Sequence, residues 1–129
     1  MIDPTGERRA DVRIADGRVT EVGEALADGD EARERHVIDA TGQVVCPGFV
    51  DLHTHLREPG REEAETIETG SRAAAKGGYT CVVAMPNTEP TQDSVSVVEF
   101  VRRQGEAAGL CDVRPSGSIT LGREGTRLS

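Results

Sequence analysis

A chain of 129 residues with 36% hydrophobic and only 2% aromatic residues has material for one domain, but a thin core. Its formal net charge of −8 and pI near 4.9 argue against a nucleic-acid or anionic-membrane partner, which clustered Lys and Arg would serve, and favour a small-molecule substrate. No apolar stretch reaches the ~18 to 20 residues of a membrane span, and the opening Met1-Ile2-Asp3-Pro4-Thr5-Gly6-Glu7 lacks the basic-then-apolar pattern of a signal peptide, so a cytoplasmic location is expected.

Residues 1–47 read as short strands joined by tight turns. Asp16-Gly17, between Asp11-Val12-Arg13-Ile14 and Arg18-Val19-Thr20-Glu21-Val22, predicts a hairpin because both turn residues tolerate positive φ. The charged stretch from Gly23 to Arg35 is expected to be a solvated loop, since Ala27-Asp28-Gly29-Asp30-Glu31 has nothing to bury. Two further strands are predicted at His36-Val37-Ile38-Asp39 and Gln43-Val44-Val45-Cys46, around the turn Ala40-Thr41-Gly42. This half is expected to be all-β.

From Pro47 the period changes. A strand is predicted over Phe49–His55, then a loop through Glu62, then a helix over Ala64–Lys76 stopped by Gly77-Gly78. Tyr79-Thr80-Cys81-Val82-Val83-Ala84-Met85 is a continuous apolar run of the kind buried in a parallel sheet. After the turn-rich Pro86–Thr91, the spacing of Val95, Val98, Phe100 and Val101 predicts a helix over Ser94–Ala108 closed by Gly109, and a third strand follows over Cys111–Ile119. The order β-α-β-α-β implies right-handed parallel crossovers, with an active site at the carboxyl ends of the strands, where His53, His55 and Asn87 fall. Cys46, Cys81 and Cys111 are odd in number and lie in apolar runs, so buried free thiols are expected.

His53 and His55 are the residues that carry chemistry. Side chains two apart in a strand point the same way, within reach of one metal ion. Two histidines do not complete a zinc site, which takes three or four protein donors, and the rest of this chain supplies no obvious others. Asp51 is read as lying on the opposite strand face, as support and not as a ligand. His36, without partner motifs, reads as an ordinary surface or strand histidine.

Three stretches in order, Pro47-Gly48-Phe49-Val50-Asp51-Leu52-His53-Thr54-His55-Leu56-Arg57-Glu58-Pro59-Gly60, then Glu65–Gly70 with Ala73–Thr80, then Ala84-Met85-Pro86-Asn87-Thr88-Glu89-Pro90, closely resemble the dihydroorotase family of the amidohydrolase superfamily, bacterial class I type. Thr54 departs toward the related hydantoinases. The resemblance implies an α/β fold: residues 1–47 as part of a small β-sandwich domain, and residues 48–129 as the first three strands and two helices of a metal-dependent (β/α)₈ TIM barrel. It implies that His53 and His55 bind the more buried metal ion, normally zinc, with one or two Zn2+ per complete site. Arg57 and Asn87 match contacts to the substrate carboxylate. A guanidinium suits that task by offering two parallel charged hydrogen bonds, although Arg57 next to Glu58 also fits a surface salt bridge and Asn87 also fits a turn.

The implied reaction is the reversible cyclisation of N-carbamoyl-L-aspartate to L-dihydroorotate in pyrimidine synthesis, with zinc lowering the pKa of its water to ~7 and polarising the carbonyl. The family's general acid/base aspartate has no counterpart here, so no catalytic residue is assigned. A barrel of ~250 residues exceeds this chain, and an amino-terminal fragment without activity of its own is expected. The bridging ligand, an aspartate or a carboxylated lysine, stays open, with the Glu65–Gly70 stretch resembling the aspartate type. Alternatives are a hydantoinase or allantoinase, and a non-catalytic dihydroorotase-like subunit of aspartate transcarbamoylase. Homo-oligomers or a complex with that enzyme are the partners the resemblance admits for the full-length protein.

Overall fold

The structure, a computed structural model, describes residues 1–26 and 36–129. The chain divides into two compact units, Met1–Pro47 and Gly48–Ser129.

In the first unit, β1 (Ile2–Asp3) pairs antiparallel with β2 (Gly6–Glu7), and β3 (Asp11–Ala15) with β4 (Arg18–Gly23). The β1–β2 turn is held by its own side chains: the Asp3 carboxylate accepts from the Thr5 amide and hydroxyl and pairs with Arg8 at 2.8 Å. These contacts, the Arg8 pair foremost, hold the Asp3 carboxyl far below the usual carboxylate range. The expected hairpin forms, with Asp16 at φ 50° and Gly17 at φ 71°, the conformation that matches the twist of the flanking strands.

The strands expected at 36–39 and 43–46 do not form. A strand needs a ladder of neighbouring backbone, and the backbone–backbone bonds described in this stretch are the turn bond from the Gln43 amide to Ala40 and a single one from the Ile2 amide to the Val45 carbonyl. Gly42, at φ 73°, makes the expected turn. Cys46 is exposed, contrary to expectation, and Cys81 and Cys111 are half-buried; all three are free. Of the expected loop 23–35, residues 27–35 lie outside the described residues.

The second unit is a three-stranded parallel sheet in the order β5 (Phe49–Thr54), β6 (Tyr79–Ala84), β7 (Asp112–Pro115), crossed by α1 (Ile67–Lys76) and α2 (Val95–Ala108). Helix α1 starts later than the composition predicts, because Thr66 caps it: its hydroxyl accepts from the Thr69 amide while the Thr69 hydroxyl takes the Thr66 amide. Gly109 closes α2 in the left-handed conformation. β7 is shorter than expected, ending at Pro115, which has no amide to extend the ladder. The core is Leu56, Ile67, Val82, Ala84, Val101 and Val113, inside the sheet and under both helices. Gly105 lets α2 approach β7 closely, since a Cβ there would sit 2.5 Å from Val113 Cβ.

Candidate metal and substrate site

The site residues lie where β5 and β6 end. β5 carries a register shift between Asp51 and Thr54, so strict side-chain alternation is lost just before the histidines. The Asp51 carboxylate accepts the His53 amide at 2.9 Å. Asp51 also lines a cleft of about 360 Å³ together with His55 and Glu65. His53 and His55 do come together, their exposed rings edge-to-face with centroids 5.1 Å apart.

Asn87 meets them from the loop after β6. Its Oδ1 lies 2.8 Å from His55 Nδ1. An amide oxygen only accepts, so in this bond Nδ1 is the donor and Nε2 is the nitrogen that faces away from Asn87, the usual way a protein orients a metal-binding imidazole. This bond joins two motifs that lie 32 residues apart in the chain.

Arg57 is half-buried with φ 62°, a left-handed conformation that is uncommon for a side-chain-bearing residue. Its neighbour Glu58, which could also have paired with it at the surface, does not. Glu58 Oε2 instead accepts the Ile67 amide at 2.6 Å, a negative charge at the N-terminus of α1, where the helix dipole favours it. The Arg57 and Asn87 loops are fastened together. The Glu89 amide donates to Pro59 O at 2.9 Å, and Gly60, at φ 102°, sits so close that a Cβ there would be 2.1 Å from Glu89 O. Sequence reasoning passed over Gly60 and Gln92, which is fully buried behind the Asn87 loop; the signal for Gly60 was its place directly after Arg57-Glu58-Pro59. His36, in the first unit, is exposed.

Among the described residues no cluster of three or more His, Cys, Asp and Glu is arranged to hold a metal ion. Two imidazoles, one with its outer nitrogen fixed, fit a zinc ion as two of its ligands and require others to finish the shell. Among the described residues no helix is long and apolar enough to cross a membrane.

Residues 42–129 match the family described as dihydro-orotase-like. The chain belongs to that family. It is 55% identical over 129 residues to the dihydroorotase of Mycobacterium tuberculosis, covering 99% of this chain and 29% of that protein. It is 53% identical over 116 residues to the dihydroorotase of Streptomyces coelicolor, covering 90% and 26%. The chain therefore spans less than a third of the length of these dihydroorotases. Among solved structures it resembles the L-hydantoinase (dihydropyrimidinase) from Arthrobacter aurescens, with a TM-score of 0.75 and 26% identity over 92% of this chain and 26% of that one. The mixed α/β arrangement of this segment is thus shared with that hydantoinase.

Proposed function

We propose that this chain supplies part of the active site of a zinc-dependent dihydroorotase, which interconverts N-carbamoyl-L-aspartate and L-dihydroorotate in pyrimidine synthesis. The observation that carries the reading is the His55–Asn87 bond, which ties the histidine pair to the loop expected to meet the substrate carboxylate. In this reading residues 1–47 belong to a small β-sandwich domain, and residues 48–129 form the first strands and helices of a (β/α)₈ barrel. The parallel order of β5, β6 and β7 and the site at their carboxyl ends support that assignment. A cytoplasmic enzyme acting on a small molecule, as a homo-oligomer or beside aspartate transcarbamoylase, accords with the acidic composition.

His53 and His55 would hold zinc, which when bound supplies Lewis-acid polarisation of an amide carbonyl and acidification of water. The chain's own residues hold and orient the substrate. Arg57 offers a planar fork to its carboxylate. Asn87, with Oδ1 engaged by His55, has its Nδ2 hydrogens left to donate to the same carboxylate, so one side chain serves both the metal ligand and the substrate. Two contacts on the carboxylate fix the ring so that its amide carbon faces the histidine pair. In the hydrolytic direction the ring C–N bond breaks, the carbon gains the water oxygen and the nitrogen gains a proton; closure reverses this with loss of water.

The likeness to L-hydantoinase favours a second reading, a hydantoin-type cyclic amidohydrolase. Arg57 separates the two, because a hydantoin ring carries no carboxylate for it. In the complete protein carrying this segment, Arg57→Ala is expected to raise KM for dihydroorotate by about 10- to 100-fold, the ~1.4 to 3 kcal/mol of a charge-assisted hydrogen bond, with zinc content unchanged. Wild-type turnover of hydantoin but not of dihydroorotate would overturn the assignment.

A further inference from the structure

Gln92 is fully buried between the loop after β6 and the start of α2. Its side-chain Nε2 donates to Met85 O at 2.8 Å, its backbone amide donates to Pro86 O at 3.2 Å, and its carbonyl accepts from the Ser118 amide at 2.7 Å. It thus grips the two residues immediately before Asn87 and links them to the segment after β7. The Met85 peptide is held from its other side as well, since its amide donates to Thr54 O at 2.8 Å, one residue before His55. A continuous set of hydrogen bonds runs from the Thr54 carbonyl, next to His55 in the chain, through Met85 to Gln92.

The rest of the Gln92 amide is not accounted for by packing. Its Oε1 is buried and has no hydrogen-bond partner among the described residues. A buried acceptor without a donor is a net cost, and Leu or Met would fill the same space without it. What an apolar side chain does not provide is the donor on Met85 O.

We propose that Gln92 is a positioning residue that fixes the Asn87 loop against the end of β5 and so sets the His55–Asn87 bond. Its effect on catalysis rests on the dihydroorotase reading above; its effect on the His55 ring does not. Gln92→Met keeps the volume and removes the donor, and the test places it in a cycle with Asn87→Ala in the complete protein. In metal-free protein, 15N NMR of the His55 ring reads the tautomer directly. The wild type is expected to hold the hydrogen on Nδ1, and Gln92→Met to give a mixture of tautomers. With metal, Gln92→Met is expected to lower zinc affinity about 10-fold, as loss of support around a ligand does, and to raise KM. In the Asn87→Ala background it is expected to change zinc affinity less than twofold, because the route through Asn87 is already gone.

A Gln92→Met protein with a lowered melting temperature but unaltered His55 tautomer and zinc affinity, or with additive losses in the cycle, would overturn the proposal. If Gln92→Met does not fold, Gln92→Glu, which keeps the shape and loses the donor at neutral pH, enters the same cycle. Wild-type protein that does not turn over dihydroorotate, with the tautomer still shifted by Gln92→Met, would refute the enzyme assignment and leave this positioning role standing.

Discussion

Gly60 tests whether the Arg57 and Asn87 loops are held together by backbone contact. An alanine there carries two separable penalties. The first is conformational: φ 102° lies in the region that side-chain-bearing residues avoid, at about 1 to 2 kcal/mol. The second is steric: the new Cβ would stand 2.1 Å from Glu89 O and 2.5 Å from Glu89 Cβ, so the Asn87 loop must retreat by about 1 Å to reach ordinary contact. Overpacking of this kind adds about 1 to 3 kcal/mol, for a total of about 2 to 5 kcal/mol. Retreat also breaks the Glu89-to-Pro59 bond and moves Asn87 away from Arg57. A misplacement of that size costs about 100-fold in kcat/KM. The assay pairs denaturant unfolding with dihydroorotate kinetics in the complete protein. Gly125→Ala serves as control, since Gly125 has φ 75° and nothing within 4 Å of its Cβ position, so it carries the conformational penalty alone. Equal stability losses in the two variants, with kcat/KM unchanged in Gly60→Ala, would refute the reasoning.

Asn87→Ala should weaken zinc binding by about 10-fold or more as well as raising KM, whereas Arg57→Ala should affect KM alone; chelator competition distinguishes them. Gly105→Ala inverts the helix-propensity expectation: alanine is favoured over glycine by about 1 kcal/mol within a helix, yet here its Cβ would meet Val113 Cβ at 2.5 Å, so unfolding experiments should show destabilisation. Asp3 has a depressed folded-state pKa, so its contribution is present above the ordinary carboxylate value of ~4 and is lost as pH falls below it. Asp3→Asn should therefore flatten the acid-side loss of stability of the first unit while leaving its stability near neutrality lower than that of the wild type.

The sequence made some elements legible because a local rule determined each. Asp16-Gly17 dictates a two-residue hairpin, the apolar run from Tyr79 dictates a parallel strand, although only Val82 and Ala84 of it are buried and not both faces, and Gly109 dictates the end of α2. Where a partner had to be inferred, pattern failed. Gln43-Val44-Val45-Cys46 has the composition of a strand, but composition does not supply a neighbour, and these residues stay irregular. Ala64–Glu65 suits a helix, yet the reciprocal Thr66–Thr69 hydroxyl bonds set its start. Glu58 looked like the partner of Arg57, but a helix N-terminus nine residues on competes for the same carboxylate and takes it.

The histidine pair shows the same division at the site itself. Period-two reasoning brings His53 and His55 to one side, and the rings do adjoin, but the route is not a regular strand. The register shift after Asp51 interrupts regular alternation, and the His53 amide donates to the Asp51 carboxylate there. Such a bulge re-aims side chains at a strand end, as the proposed convergence of His53 and His55 on one ion would require. The geometry that makes the pair useful therefore depends on Asp51 and, across 32 residues of chain, on Asn87. Neither dependence is contained in the spacing of the histidines: the first arises from a break in periodicity, and the second from the parallel pairing of β5 with β6, which sets the two strand ends side by side.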